Sequence, residues 1–242
     1  MTVRTLSPRY GAKTRIASRI AQAFGSGYSR YIEPCVGGGA VLLAAIRSGC
    51  AREYFASDND PMLILFYQEL QANPDQTCER MTAECARFKA APRDEQRARL
   101  NSWWQSSDPI ERSLATRNTL MRSEHGSPSP CGISGLRALA ALISRVHFEC
   151  MDVRSIEAHS EYLVFVDPPY AGTGTASYES KNPVCDWQHL WRSEARVLLT
   201  YDRVPDGIAQ HQILWSTELP MPRKRTATRT EILMENRPHG SI

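Results

Sequence analysis

Short apolar and aromatic runs, broken by glycine, proline and acidic residues, set the rhythm of the chain. Residues 28–34 (Tyr-Ser-Arg-Tyr-Ile-Glu-Pro) are β-prone, residues 35–39 break into Cys-Val-Gly-Gly-Gly, and residues 40–46 are apolar enough for a helix. A second aromatic segment at 53–57 ends in Asp58-Asn59-Asp60-Pro61, and residues 62–70 again read as a helix. Two β-α units in succession predict a doubly wound parallel sheet. From Pro74 to about residue 124 the chain is poor in β-branched residues and rich in Ala, Arg, Glu and Gln, which predicts short helices broken at Pro92 and Pro109. Residues 123–132 are dense in Gly, Ser and Pro and read as a loop, followed by a helix over 136–145. Strand signals return at 147–152, 162–166, 197–201, 211–215 and 230–235. The pattern predicts one α/β domain, residues 1–71 and 136–242, interrupted by a helical insertion at 72–135. The last two strands form a hairpin around a basic loop.

Composition narrows this picture only slightly. At 242 residues the chain can bury a substantial core, and its formal net charge of +3 permits nucleic-acid binding without arguing for it. The seven cysteines are odd in number and form no Cys-x-x-Cys pair, which argues against a zinc site or a disulfide framework and for a reducing setting. No apolar run approaches the roughly 18 residues of a membrane span, so the expectation is a cytoplasmic protein with no membrane partner and no metal.

Candidate chemistry changes the picture more. Gly37, Gly38 and Gly39 stand between a strand and a helix, where they either let a ligand approach the backbone or simply permit close packing. Asp58, about 20 residues later at the end of the second strand, is placed to accept hydrogen bonds from the two hydroxyls of a ribose. Its other possible task is the N-cap of the next helix, for which Asn59 and Asp60 compete. Together these features suggest an adenosine-type cofactor.

Asp167-Pro168-Pro169-Tyr170 follows the apolar run Val164-Phe165-Val166, at the carboxyl end of a strand. The prolines stiffen the turn and leave carbonyls as acceptors. An amine on an aromatic ring is a poor nucleophile because its lone pair is delocalised. The Asp167 carboxylate and the Pro168 carbonyl can each take one N–H and stabilise the charge that develops as a methyl group moves. Tyr170 offers a face on which a planar base can stack.

In this order the motifs resemble the Dam-type adenine-N6 DNA methyltransferases, the α-class enzymes with an Asp-Pro-Pro-Tyr turn. Residues 7–16 (Ser-Pro-Arg-Tyr-Gly-Ala-Lys-Thr-Arg-Ile) look like that family's N-terminal segment, and Glu33-Pro34-Cys35-Val36-Gly37-Gly38-Gly39 is similar to its cofactor loop, with Cys35 where Phe is usual. The resemblance implies a Rossmann-like sheet with a helical target-recognition insertion, S-adenosylmethionine as cofactor, and adenine in double-stranded DNA as acceptor. It implies a monomer or weak dimer, as in restriction-modification enzymes. It places Tyr10, Lys13, Glu33, Pro34, Gly37, Gly39, Asp58 and Asp152 at the cofactor, with Asp152 near its adenine and Asp167 bridging cofactor and target. It also assigns Thr200-Tyr201-Asp202 and residues 229–234 to later strands whose roles are structural more than chemical. The segment 117–135 lacks the Asn-Gly-bearing aromatic stretch that many members have, so the target sequence does not carry over.

For DNA contact the clearest candidates are Arg223, Lys224 and Arg225, since no acid interrupts the run between Glu218 and Glu231. Within the insertion Arg80, Arg87, Lys89, Arg93, Arg97, Arg99, Arg112, Arg117 and Arg122 flank Trp103 and Trp104, but neighbouring acids make solvated helix faces an equal explanation. Residues 171–178 are small and polar enough for a loop that orders over substrate, or for a plain connector. Two other readings stay open: methylation of RNA or of a protein amine, and a DNA-binding subunit that has lost catalysis.

Overall fold

The computed structural model describes residues 5–9, 11–125, 133–170, 186–220 and 228–237, without the side chains of 118–125 and 134. Its centre is a seven-stranded sheet in the order β3-β2-β1-β4-β5-β7-β6. The strands are β1 (Tyr28–Glu33), β2 (Ala51–Asp58), β3 (Val146–Cys150), β4 (Tyr162–Val166), β5 (Arg196–Tyr201), β6 (Ile213–Pro220) and β7 (Thr228–Glu235). Strands β1 to β5 pair in parallel, and β7 runs antiparallel between β5 and β6. The chain builds outward from β1 to β2 and β3, then returns to lay β4 on the other side of β1. That reversal opens a crevice beyond the carboxyl ends of β1 and β4, where doubly wound sheets bind ligands.

The central strands β4 and β5 are buried on both faces, as is the second half of β7, and the period of two sorts their side chains. Leu163, Phe165, Leu198 and Leu233 join the larger core cluster, whereas Val164, Val166, Val197, Leu199 and Met234 face a second cluster with Trp187 and Leu190. Trp187 caps the short helix α8 (Gln188–Trp191) and is a core residue. Helices α1 (Ala17–Ala21), α2 (Ala40–Ser48), α3 (Pro61–Ala72) and α7 (Ile133–Ile143) contribute to the larger cluster.

The expected helical stretch consists of three helices longer than the pattern predicted: α4 (Pro74–Ala90), α5 (Arg93–Gln105) and α6 (Pro109–His125). The prolines act as starts: Pro92 precedes α5, and Pro109 opens α6 behind Asp108, whose carboxylate accepts from the Ile110 and Glu111 amides at 2.9 and 3.1 Å. Met81, Phe88, Trp103 and Leu114 belong to the same cluster as Leu70, Leu136 and Val146, so these helices share the core of the sheet. Trp103 is buried and stacked on Phe88 at 5.2 Å, which removes it from the nucleic-acid candidates. Arg80, Arg87 and Arg99 pair with Asp108 or Glu84, as solvated helix faces do. The penultimate strand, expected over 211–215, is corrected: residues 210–212 form a 3₁₀ turn and β6 runs from Ile213 to Pro220. No helix among the described residues is long and apolar enough to cross a membrane.

Candidate active site

The glycine turn at the end of β1 is shaped by what lies on it. Gly37 and Gly39 have φ of +46° and +70°, which L side chains rarely adopt. Gly38 has no such angle. A Cβ there would lie 2.6 Å from the Ser7 carbonyl oxygen and 2.8 Å from Thr5 Oγ1, and one at Gly39 would lie 2.8 Å from Leu6 Cδ1. The N-terminal segment is therefore clamped onto the turn: the Leu6 amide donates to the Gly38 carbonyl at 2.9 Å, and the Thr5 hydroxyl donates to the same oxygen. Close packing accounts for Gly38 and Gly39, while Gly37 has only the Cys35 carbonyl near its would-be Cβ, at 3.9 Å. Arg117, buried in α6, donates to the Leu6 carbonyl at 2.6 Å from behind, and burial lowers its pKa to about 10.

The N-cap of α3 falls to Asp60 and not to Asp58. Asp60 caps α3, accepting from the Met62 and Leu63 amides, and pairs with Arg9 at 2.6 Å. Asp58 faces the glycine turn: one oxygen accepts from the Gly37 amide at 3.0 Å and the other from the Asp60 amide at 3.1 Å. Burial raises its pKa, with Arg9 and the two amides pulling the other way.

At the end of β4, Asp167 meets Lys13, 154 residues away in sequence. The Lys13 ammonium lies 2.7 and 2.8 Å from the two carboxylate oxygens, donates to the Gly11 carbonyl at 3.1 Å, and is 3.7 Å from Glu231 on β7. The Thr200 hydroxyl, at the end of β5, donates to Asp167 Oδ1 at 2.9 Å. The Tyr170 hydroxyl donates to Glu231 at 2.6 Å and lies 3.4 Å from Asp167 Oδ1. Its ring packs at 4.9 Å from Tyr201 and 5.0 Å from the Lys13 ammonium. Glu231 is fully buried and forms an ion pair with Arg229 at 3.1 Å, whereas the Asp167 side chain is 19% exposed and so opens the cluster to the crevice.

Glu33 ends β1 nearby, buried, with its carboxylate accepting from the Tyr31 hydroxyl at 2.6 Å. Burial pushes its carboxyl well above the usual carboxylate range, and the charges of Asp167 and Asp58 add to this. Burial likewise pushes the Tyr170 hydroxyl far above its ordinary value, helped by Asp167 and Glu231.

Most site residues read from the sequence converge here. Lys13, Glu33, Pro34, Gly37, Gly39, Asp58, Asp167, Pro168 and Tyr170 sit on or beside the carboxyl ends of β1, β2 and β4. Asp152 lies next to that edge, since the Met151 amide donates to the Asp58 carbonyl at 3.1 Å. Its carboxylate is held by the Arg154 side chain at 2.9 and 2.8 Å and by the Arg154 amide, and these bonds draw its pKa down to about 2. Tyr10, Arg223, Lys224, Arg225 and the loop over 171–178 lie outside the described residues, as does the side chain of Arg122.

Thr200 and Glu231, on the later strands, belong to the cluster around Asp167 and Tyr170. The signal in the sequence was an acid at position 231 leading the apolar run Ile232-Leu233-Met234, since a carboxylate in a buried strand needs partners.

Residues 10–112 match the D12 class N6 adenine-specific DNA methyltransferase family. The chain is thus an S-adenosylmethionine-dependent methyltransferase, with the matched segment beginning just after the N-terminal clamp and ending in α6. Among curated proteins, none matches it in sequence. Similar solved structures include PH1948 of Pyrococcus horikoshii, described as a candidate RNA methyltransferase, at 12% identity and TM-score 0.48, covering 95% of this chain and 87% of that one. The SAM-dependent O-methyltransferase TM0748 of Thermotoga maritima is similar at 12% identity and TM-score 0.41, over 95% and 66% of the two chains. The rRNA methyltransferase AviRa of Streptomyces viridochromogenes is similar at 17% and 0.38, over 90% and 84%. These likenesses are too distant to say what this methyltransferase acts on.

Proposed function

We propose that this methyltransferase moves a methyl group from S-adenosylmethionine to the N6 amine of an adenine turned out of duplex DNA. The observation that carries the reading is Asp167, partly open at the switch point of the sheet, with Pro168 before the stacking face of Tyr170 and the glycine turn one strand away.

The residues suit the cofactor. Each oxygen of Asp58 holds one backbone N–H and keeps a lone pair for a ribose hydroxyl, and Gly37 leaves the turn beside it uncovered. Asp58, Glu33 and Lys13 would hold the cofactor, with Pro34, Gly37 and Gly39 shaping its bed, Asp152 on the side of its adenine and Tyr10 on the N-terminal side. When bound, it supplies a methyl group on a positively charged sulfur. The chain's own groups handle the amine: the Asp167 carboxylate and the Pro168 carbonyl accept its two N–H groups, turn its lone pair toward the methyl, and stabilise the positive charge it gains. Tyr170 takes the face of the base, which offsets part of the cost of unstacking. Arg223, Lys224 and Arg225, with Arg122, are the phosphate contacts in this reading.

A labelled-methyl assay on mixed-sequence duplex DNA, with identification of the modified base, tests it. Asp167→Ala should abolish transfer while S-adenosylmethionine binding largely survives. Full activity of that variant, or label recovered on something other than adenine N6, refutes the proposal.

A further inference from the structure

Asp167 can receive an amine only if one of its lone pairs is open to it, and the described site is crowded with donors. Lys13, the Thr200 hydroxyl and the Tyr170 hydroxyl all reach it, at 2.7, 2.9 and 3.4 Å. Two of these three are shared with a second carboxylate: Glu231 lies 2.6 Å from the Tyr170 hydroxyl and 3.7 Å from the Lys13 ammonium. Glu231 has no exposed surface of its own, so water cannot replace it as the acceptor of those donors.

We propose that Glu231 is a positioning residue for methyl transfer: it draws Lys13 and Tyr170 off Asp167, leaving Asp167 free to take the N–H of the acceptor amine. The inference rests on the function proposed above and adds a residue to it. When the amine enters, the Lys13 ammonium moves about 1 Å toward Glu231 to keep an anionic partner, within the reach of a flexible four-carbon stem. The Tyr170 hydroxyl stays on Glu231, which holds the ring in one plane against Tyr201 as the stacking surface. Arg229, on the same strand, lies 3.1 Å from the other Glu231 oxygen as an ion-pair partner that makes no hydrogen bond to it.

Among the described residues the groups facing Glu231 are Lys13, Asp167, Tyr170 and Arg229, with Tyr201 behind Tyr170. Burial raises the Glu231 pKa against the pull of Lys13, and the nearby Asp167 charge adds to the rise. Protonating Glu231 removes an acceptor and returns Lys13 to Asp167, so the reaction loses rate on the acid side.

The test compares wild type, Glu231→Gln and Glu231→Asp in steady-state methyl transfer to duplex DNA and to RNA, across pH, with circular dichroism as a check on folding. Glu231→Gln should lower kcat about 100-fold, leave the KM for S-adenosylmethionine within a few-fold, and lose the acid limb of the pH profile. Glu231→Asp, which keeps the charge, should recover part of the rate and the acid limb. Wild-type kcat and an unchanged pH profile in folded Glu231→Gln overturn the inference. So do equal losses in both variants with a parallel fall in cofactor affinity, which mark a structural role. If Glu231→Gln does not fold, loss of the acid limb in folded Glu231→Asp, which keeps the charge, overturns it. Should wild type methylate RNA and not DNA, the function proposed above fails, while the same comparison on RNA still decides the role of Glu231. Should it methylate neither, the function proposed above and the inference that rests on it both fail.

Discussion

Replacing Gly38 with Ala asks how much of the site depends on the N-terminal clamp. Gly38 has no left-handed φ, so the substitution adds crowding without backbone strain. The new methyl would sit 2.6 Å from a backbone oxygen, that of Ser7, which cannot swing aside like a side chain. Residues 5–7 must lift from the turn, weakening the Leu6 amide bond and the Thr5 hydroxyl bond to the Gly38 carbonyl, each about 1 kcal/mol. Leu6 is fully buried and would lose part of the roughly 1.5–3 kcal/mol that burying a leucine side chain contributes. Together the loss comes to roughly 2–4 kcal/mol, a large effect for adding one methyl group. Urea unfolding should show a lower midpoint with an unchanged slope, since the same surface is exposed on unfolding. S-adenosylmethionine binding should weaken as well, because the lifted segment leads directly to Lys13. A loss below about 0.5 kcal/mol, the range of an ordinary surface change, would refute the clamp.

Glu33→Gln tests the buried carboxyl at the end of β1. Its pKa is raised in the folded state, so wild-type stability is greatest below the unfolded value near 4.3 and falls as pH rises through the folded value, by up to about 1.4 kcal/mol per pH unit. The glutamine variant, which can still accept from Tyr31, should lack that fall and gain on wild type as pH rises; parallel stability curves would show that Glu33 is not penalised. Neutralising Arg223, Lys224 and Arg225 together should reduce the salt dependence of DNA binding, by about one unit of slope for each phosphate no longer neutralised by the protein. An unchanged slope would remove that loop from the interface.

Two kinds of information separate cleanly in this chain. The β-turn-α rhythm of residues 28–70, the seven strands, the hairpin at the end and the Asp-Pro-Pro-Tyr turn are legible from residue order alone. They depend on periodicity, on glycine and proline, and on near neighbours, all of which act over a few positions. The sequence also left Asp58 and Asp60 as rivals for one cap, and only the fold divided the work, because the division depends on which backbone amides each carboxylate meets. The pairing of Lys13 with Asp167, the Thr200 hydroxyl on the same carboxylate and the buried Glu231 behind Tyr170 were set by tertiary structure. These partners come from four separate segments, brought together because the sheet reverses at β1 and β4 and folds β7 in beside β5. Trp103 went the same way, from a surface candidate to a core residue, since one helical stretch cannot declare which of its faces a distant helix will cover. Local pattern determined which turn follows β4; long-range packing decided which charges gather around it.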